Sequence, residues 1–276
     1  MAEGVSSTTE IQSGTVVNCR SSSGVEQGVC KPQAVGSIPT SGTIFGDVME
    51  VLLVDHMGSD LSVVNAARVS FSKKSDWGWG EKDGNDGLYL KDKDVKLINY
   101  LAKHDHWSPF GHASMQFHIK APVFVARQLV KHQVGLVWNE VSRRYVDEEV
   151  EFYEPEEWRG RPVNSKQGSS DEVIDINPSN GSGPMMVNDY QQALRSAKWT
   201  YEQLLRRGVS PEQARMVLPQ SMMTEWYWSG TLYAFARVCN LRCKPDAQKE
   251  TQDVGWHIDT HARELFPACW RALRDA

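Results

Sequence analysis

Three segments with strand-like patterning, each followed by a segment with helical patterning, constrain the fold of this chain more than any other feature. The strand-like segments are residues 47–56 (DVMEVLLVDH), 112–120 (HASMQFHIK) and 222–230 (MMTEWYWSG), in which apolar residues alternate or form a short continuous run. Such runs are typical of strands with one or both faces buried. The mixed order of strands and helices predicts an α+β fold, with one central, mostly antiparallel sheet flanked by helices.

Helical periodicity and capping residues predict the helices between and after these strands. Asp60 is expected to cap the first helix, and Pro122 suits the first turn of a helix that runs through VFVARQLVKHQ. The predicted helices cover residues 60–71, 92–107, 122–133, 187–208, 210–219, 231–242 and 246–273. Residues 72–87, which are charged and rich in glycine, are expected to form a loop.

The chain divides into a tail and one folded domain. Residues 1–45 are rich in Ser, Gly, Thr and Val without a periodic pattern, which predicts a flexible N-terminal tail. Residues 46–276 are predicted to form a single domain, in which residues 160–184 are a polar insertion in a surface loop. A chain of 276 residues can bury a large core without disulfide bonds.

The charge and the cysteines argue against several classes of protein. The net charge of −5 disfavours general electrostatic binding of nucleic acid or anionic membranes, so basic residues must act in local clusters. The five cysteines form no CxxC pair, which disfavours a disulfide framework and a zinc site. We find no apolar run of about 18 residues and no signal-peptide pattern, so we expect a cytoplasmic protein with no membrane partner.

Residues 126–145 (ARQLVKHQVGLVWNEVSRRY) combine apolar residues with many polar and cationic ones. Polar groups buried without partners cost about 2–7 kcal/mol each, so these side chains must pair with one another or with a ligand. On the predicted helix Gln128, Lys131 and His132 share one face, which suits an anion or a heteroaromatic ring. Ser142 and Arg144, one or two turns further on, could hold a phosphate. A solvated, charged helix face is the alternative for both groups.

Two arginines lie among apolar residues. They are Arg215 in ARMVLP and Arg242 in CNLRC, and each is a candidate for either a ligand site or a structural ion pair, because charges in apolar surroundings are seldom buried unpaired. Arg237 follows Tyr233 by four residues, so the two can share a ligand. The three histidines of HDHWSPFGH lack a complementary ligand set at zinc-like spacing, so no metal site is predicted.

Taken in chain order, these segments resemble the flavin-dependent thymidylate synthase family between Asp47 and Leu273. The motifs that carry the resemblance are HWSPFGH, FHIKAPVFVARQ, KHQ…NEVSRRY, ARMVLP, TEWYW and NLRCKPDAQKE. The resemblance implies reductive methylation of dUMP to dTMP, with methylenetetrahydrofolate as the carbon donor and NADPH-reduced FAD as the hydride source. It also implies a homotetramer whose active sites form between subunits, with FAD held across chains.

The resemblance further implies which residues contact the ligands. The expected flavin contacts are Ser108, Lys131, His132, Gln133, Glu140, Thr231, Tyr233 and Arg237, with His106 lining the same site. The expected deoxyuridylate contacts are Gln128, Lys131, Glu140, Ser142, Arg144, Arg215 and Arg242. Arg242 takes the place of the arginine that polarises the uracil ring, which makes it the expected catalytic residue. Trp107, Trp138 and Tyr145 could stack on flavin or pterin, or pack in the core.

The sequence also departs from the family pattern. The family signature Arg-His-Arg is replaced by Lys131-His132-Gln133, and one additional residue precedes Ser142. Lys131 keeps a charge without the planar fork, and Gln133 keeps only hydrogen bonding. Arg237 could restore the lost charge. The changes leave open a related methylase or hydroxymethylase of another pyrimidine nucleotide, such as dCMP, or a non-catalytic flavin- or nucleotide-binding homologue. Cys243, beside Arg242, is a candidate nucleophile, although the resemblance implies a route without one.

Overall fold

The computed structural model describes residues 43–45, 49–82, 84–145, 149–163, 168–175 and 186–275. The expected N-terminal tail lies outside these ranges except for its last three residues, Thr43–Phe45, which form a strand. Much of the expected insertion, residues 160–184, also lies outside them. In its described part, Val173 forms an isolated antiparallel bridge with Arg159, the residue that precedes the segment.

A five-stranded antiparallel sheet forms the centre of the structure. The strands in chain order are β1 (Thr43–Phe45), β2 (Met49–Met57), β3 (Gly78–Lys82), β4 (Asn85–Tyr89), β5 (Ser114–Pro122), β6 (Leu136–Glu140) and β7 (Met223–Thr231). The order in the central sheet is β1-β2-β5-β7-β6, and every neighbouring pair is antiparallel. Strands β2, β5 and β7 coincide with the three strand-like segments of the sequence. The prediction of an α+β fold around an antiparallel sheet is confirmed.

Strands β3 and β4 form a separate hairpin, so the expectation of a loop over residues 72–87 was wrong. Trp79 pairs with Leu88 across the hairpin, and Gly84 lies in its turn with a φ of +81°, a left-handed conformation that glycine adopts without steric cost. Glycine and charged residues occupy four of the five positions of β3 and two of the five of β4, which hides the alternation that normally indicates a strand.

The helices lie close to their predicted positions. Within the described ranges they are α1 (Asp60–Arg68), α2 (Asp92–Lys103), α3 (Val123–Leu129), α4 (Met186–Arg206), α5 (Pro211–Ala214), α6 (Leu232–Arg242), α7 (Lys249–Leu265) and α8 (Pro267–Asp275). A 3₁₀ turn, Arg215–Val217, follows α5 directly. None of these helices has the length and apolar character needed to cross a membrane.

Several of the predicted helices were too long, among them the one expected over residues 92–107, which ends at Lys103. The helix expected over residues 122–133 ends at Leu129, and Lys131 and His132 lie beyond its end. The argument that placed these two side chains with Gln128 on one helix face was therefore wrong. The closing helix expected over residues 246–273 is two helices, because Pro267 has no backbone N–H and its ring is compatible only with the first turn of a new helix.

The core lies on one face of the central sheet. Phe117 and Ile119 of β5 are fully buried, and Trp226 and Trp228 of the paired strand β7 lie beside them. The ring of Phe117 packs edge-to-face against Phe235 of α6, with the ring centroids 5.2 Å apart. Aromatic pairs of this kind contribute about 0.5–1.5 kcal/mol beyond their buried area, so they fix α6 firmly on the sheet.

The opposite face of the sheet carries both polar and apolar side chains and is partly exposed. His118 of β5 lies 3.2 Å from the carboxylate of Glu225 on β7, and its ring lies 4.9 Å from the ring of Tyr227. Tyr227 is 48% exposed, and Val137 of β6, on the same face, is 64% exposed. This alternation of buried and exposed residues is that of a sheet covered on one side.

Asp60, the residue expected to cap α1, instead joins α1 to α8. Ser59 holds the cap position and forms a reciprocal capping box with Ser62. The buried carboxylate of Asp60 accepts hydrogen bonds from the backbone N–H groups of Ala268 at 3.0 Å and Cys269 at 2.8 Å. These N–H groups lie in the first turn of α8 and have no partner within the helix, so the carboxylate satisfies them and also complements the helix dipole.

We expect the substitution Asp60→Ala to lower the free energy of unfolding by about 2–3 kcal/mol, because it leaves one buried and one partly buried N–H group without an acceptor. Urea denaturation followed by circular dichroism measures this change. The control is Asp55→Ala, which removes an exposed carboxylate of β2 and should change stability by less than about 0.5 kcal/mol. Equal stability of the two variants would show that the contact between α1 and α8 contributes little.

Candidate functional site

Helix α6 ends at Arg242, whose guanidinium is held by two acceptors from α3 and the segment that follows it. Nε donates to Nε2 of His132 at 3.0 Å, and Nη2 donates to the main-chain oxygen of Gln128 at 3.0 Å. Burial lowers the pKa of Arg242, yet a guanidinium stays protonated in proteins. A planar cation fixed in this way can stabilise negative charge on a ligand that contacts its remaining N–H groups.

His132 supports Arg242 as a neutral side chain. Burial, followed by the positive charges of Arg242 and Arg237, lowers the pKa of His132 from 6.5 to about 4. At neutral pH the ring is uncharged, and Nε2 must be the unprotonated nitrogen because it accepts the bond from Arg242. Protonation of His132 would replace this hydrogen bond with repulsion between two cations. His132, which is expected to contact the flavin, therefore also hydrogen-bonds the expected catalytic residue, Arg242.

The side chain of Gln128 connects α3 to α7. Its Nε2 donates to Oε1 of Gln248 at 2.6 Å, and Nε2 of Gln248 donates to Oε2 of Glu250 at 3.0 Å. Glu250 is 4% exposed and pairs with Arg159 at 2.5 Å. None of these three partners was expected at the site, although NLRCKPDAQKE contains two of them. Gln128 and Gln248 are 120 residues apart in sequence, and Arg159 and Glu250 are 91 residues apart. No local sequence pattern could have predicted these contacts.

The segment from Lys131 to Gly135 lies against α6. The main-chain oxygen of Gly135 accepts from the N–H of Thr231 at 3.0 Å, and a Cβ at Gly135 would come within 3.2 Å of the Thr231 hydroxyl. The side chains of Lys131, Gln133 and Arg237 are exposed. In the described part of the chain, neither cation is paired with a carboxylate. Two unpaired cations beside a closely packed backbone suit a phosphate-bearing ligand.

Two expected flavin contacts on α6 have partners within the chain. Thr231 is the N-cap of the helix, and its hydroxyl accepts from the N–H of Ala234 at 3.2 Å. The hydroxyl of Tyr233 donates to Oδ1 of Asp105 at 2.6 Å, which raises the pKa of Tyr233. The ring of Trp107, 58% exposed, lies 6.4 Å from the ring of Tyr233. An exposed Trp107 beside the half-buried Tyr233 therefore lies at the beginning of α6, available to a flat ligand.

The two expected contacts in HDHWSPFGH lie on the connection between α2 and β5. His106 and Ser108 are both exposed, and the ring of His106 stacks with that of Tyr100, with the centroids 6.0 Å apart. The bond between Asp105 and Tyr233 fastens this connection to α6. Across the described ranges, no group of three or more histidine, cysteine or acidic side chains is placed to hold a metal ion.

The residues of NEVSRRY do not lie on a helix, contrary to expectation. Glu140 ends strand β6 and accepts from the hydroxyl of Thr224 at 2.9 Å. The hydroxyl of Ser142 accepts from Nε of Arg144 at 3.2 Å, and the guanidinium of Arg144 lies 4.9 Å from the ring of Tyr145. Ser142 and Arg144 are therefore adjacent, as a phosphate site requires, but a strand and a turn bring them together.

Of the three aromatic residues considered for ring stacking, Trp138 is partly buried and packs against the core. Its ring stacks on Trp226 at 4.4 Å with an angle of 18° between the planes, and its Nε1 donates to Glu140 at 3.1 Å. Trp107 and Tyr145, which is 76% exposed, are open to a ligand.

Arg215 is exposed on the 3₁₀ turn after α5, where its Nε donates to the main-chain oxygen of Glu212 at 3.3 Å. Among the described residues, no hydrogen bond or ion pair joins Arg215, Ser142 or Arg144 to Arg242. Within the described residues, Arg242 and the three expected phosphate contacts therefore have different hydrogen-bond partners.

The cysteines of the described part are all buried. Burial raises the pKa of Cys239 and of Cys269 well above the ordinary value, which leaves both thiols unreactive. The hydrogen bond with Cys239 lowers the pKa of Cys243, which is 9% exposed. The thiol of Cys243, which follows Arg242 in the sequence, is thus hydrogen-bonded to Cys239 of α6.

Comparison with known proteins connects this geometry to a family. Residues 52–268 match the family model described as thymidylate synthase complementing protein. The flavin-dependent thymidylate synthase from one strain of Thermus thermophilus is 37% identical over 225 residues, covering 82% of this chain and 75% of that protein. The enzyme of the same name from Kosmotoga olearia is 39% identical over 223 residues, covering 81% of this chain and 89% of that one.

A solved structure agrees with the sequence matches. The crystal structure of the UMP/dUMP methylase PolB from Streptomyces cacaoi, bound with 5-Br dUMP, superposes with a TM-score of 0.65 at 31% sequence identity. The superposition covers 82% of this chain and 95% of that chain.

The environment of His132 predicts an unusual titration. We expect its ring to titrate near pH 4, well below 6.5, and Arg242→Gln to raise the midpoint without restoring 6.5, because burial remains after one of the two positive charges is removed. NMR chemical shifts of the histidine rings, recorded from pH 3 to 8, measure both midpoints. A wild-type midpoint near 6.5 would mean that His132 is solvated and does not accept the bond from Arg242.

Proposed function

The chain belongs to the flavin-dependent thymidylate synthase family, and from this premise we propose that it methylates C5 of dUMP to form dTMP. In the proposed reaction methylenetetrahydrofolate donates the carbon unit, and FAD reduced by NADPH supplies the hydride. The observation that carries the proposal is the guanidinium of Arg242, which His132 and Gln128 hold in place and which the resemblance matches to the family's ring-polarising arginine.

Arg242 has the chemistry that this reaction requires of the protein. Carbon adds to C5 of uracil when electron density moves into the ring and negative charge develops on a ring oxygen and N3. A guanidinium aimed at that charge stabilises the transition state more than the ground state. Neutral His132 preserves this function, because it orients the guanidinium without competing for the negative charge. This route needs no protein nucleophile, which agrees with the burial of the described cysteines.

The exposed face around the beginning of α6 fits FAD. Lys131 and Arg237 would contact its phosphates and Gln133 would add hydrogen bonds, since all three side chains are exposed beside the closely packed Gly135. The ring system of FAD would be bordered by Trp107 and by the other expected flavin contacts near the beginning of α6, which are His106, Ser108, Thr231 and Tyr233. Arg237 supplies the positive charge that the family signature places at the position of Gln133, so the departures from the signature are compatible with flavin binding.

We place the phosphate of dUMP on Ser142, Arg144 and Arg215, and we infer that a homotetramer completes the site. The family resemblance implies active sites formed between subunits, so we assign Arg242 and these phosphate contacts of one site to different copies of the chain. The exposed face of the central sheet supports an assembly, because Tyr227 and Val137 leave apolar surface uncovered there.

Product analysis tests the proposed reaction. Protein supplied with FAD, NADPH and methylenetetrahydrofolate is incubated separately with dUMP, dCMP and UMP, and the nucleotides are separated by chromatography. We expect dTMP from dUMP. UMP is included because the solved relative from Streptomyces is named a UMP/dUMP methylase. Turnover of dCMP alone would instead identify a methylase or hydroxymethylase of that nucleotide, and a yellow protein without any product would identify a non-catalytic homologue.

Complementation tests whether one site uses two chains. Arg242→Ala and Arg144→Ala should each reduce dTMP formation at least about 100-fold, because each removes a charge that contacts the nucleotide. Both variants should remain yellow. When the two variants are co-expressed, about a quarter of the sites should receive both native arginines from different chains, which restores about a quarter of the activity. Co-expressed Arg242→Ala and Arg242→Lys chains are the matched control. No recovery in the first mixture would place both arginines of a site on one chain.

A further inference from the structure

Helix α7 packs against the end of α6 at Gly255, a buried glycine. A Cβ atom at Gly255 would lie 3.1 Å from Sγ of Cys243 and 3.5 Å from Cβ of Arg242. Sγ of Cys239, one turn earlier on α6, lies 3.4 Å from the main-chain oxygen of Gly255. The backbone of α7 therefore lies directly against the turn of α6 that ends in Arg242.

Helix α7 also contacts α3. Gln248 is the N-cap of α7, and its Oε1 accepts a hydrogen bond from Nε2 of Gln128 on α3 at 2.6 Å. Gly255 follows seven residues later. Because seven residues are close to two helical turns, Gln248 and Gly255 face the same side of α7. This side of α7 thus meets α3 at one point and the end of α6 at the next.

The guanidinium of Arg242 joins α6 to α3 and its following segment across a fixed distance. Its bonds to Nε2 of His132 and to the main-chain oxygen of Gln128 are both 3.0 Å long. Hydrogen bonds of this type are roughly 2.7–3.2 Å long, so moving the end of α6 away by a few tenths of an ångström would weaken both. The two bonds therefore require that α6 end at a particular distance from α3.

We propose that Gly255 is a positioning residue for Arg242. The lack of a side chain at Gly255 lets α7 hold the end of α6 where the guanidinium reaches both His132 and Gln128. Cys243 is the matching surface, because its sulfur occupies the space that a side chain at position 255 would need. This inference rests on the proposed function, since it concerns the arginine that would polarise the uracil ring.

A methyl group at position 255 would displace Arg242 through Cys243. Its contact with the sulfur, at 3.1 Å, is shorter than an ordinary van der Waals contact of 3.4–4 Å. Cys243 is buried in a closely packed region and directly follows Arg242, so relief of the contact moves the end of α6 away from α7. A misplacement of about 1 Å at a catalytic group can cost about 100-fold in rate, so a few tenths are expected to cost about tenfold.

The substitution Gly255→Ala tests the proposal on FAD-bound protein supplied with NADPH and methylenetetrahydrofolate. We expect kcat for dTMP formation to fall about tenfold. KM for dUMP should change less than about twofold, because Arg242 acts on charge that develops in the transition state. NMR should show the midpoint of His132 rising above that of wild-type protein, because a cation that lowers its pKa has moved away. A purely structural defect would lower stability and leave this midpoint unchanged.

A second substitution on the facing helix should reverse the first. Cys243→Ala removes the sulfur that the new methyl group would contact, so Gly255→Ala/Cys243→Ala should return kcat to within about twofold of wild type and restore the His132 midpoint. The matched control is Gly255→Ala/Cys269→Ala, which removes a buried thiol of α8 instead. The control should keep the low kcat and the raised midpoint of Gly255→Ala.

Cys243→Leu gives a measurement that does not depend on Gly255→Ala folding, because it fills the same space from α6 and should also lower kcat and raise the His132 midpoint. Wild-type values in both Gly255→Ala and Cys243→Leu, or equal recovery with Cys269→Ala and Cys243→Ala, would overturn the proposal. The midpoints are measured without nucleotide. Failure of wild-type protein to methylate dUMP would therefore contradict the proposed function and leave this test of the position of Arg242 in place.

Discussion

The hydrogen bond between Arg242 and neutral His132 is the interaction on which the rest of the site depends. Arg242 is partly buried at the end of α6, where an unheld guanidinium would turn toward solvent to recover its hydration. His132 holds it because the imidazole is uncharged, and the imidazole is uncharged because it is buried between cations. The burial and neutral charge of His132 and the orientation of Arg242 therefore depend on one another. A substitution of either residue is expected to change the direction of the guanidinium.

The central sheet places these two side chains. Strand β5 continues directly into α3 and strand β7 directly into α6, and the two strands pair along their whole length. The register of one antiparallel pair thus sets where both helices begin, and the packing of Phe117 against Phe235 fixes α6 on the core face. The segment after α3 then meets α6 twice, through His132 at its end and through Gly135 at its beginning.

Sequence patterns predicted the elements whose conformation depends on neighbouring residues in the chain. Alternation of apolar residues identified β5 and β7, because one face of each is buried. The same reasoning missed the β3–β4 hairpin, whose strands consist largely of glycine and charged residues, and it extended α3 past Leu129, where no proline or glycine indicates an end. It identified Arg242 from its apolar neighbours but not Glu250, whose burial is possible only because Arg159, far away in sequence, neutralises it.

The substitutions in the signature affect the two outer positions of Lys131-His132-Gln133 and spare the middle one. Lys131 and Gln133 are exposed, and in the described part of the chain neither is held by a carboxylate, whereas His132 is partly buried against Arg242. The changes therefore alter what a bound ligand meets and leave intact the support of the guanidinium. An exposed contact can be replaced from a neighbouring element, as Arg237 on α6 can replace the charge absent at Gln133. Neither Lys131 nor Arg237 can replace the neutral acceptor that His132 offers to the partly buried Arg242, because both side chains are cationic and carry no acceptor.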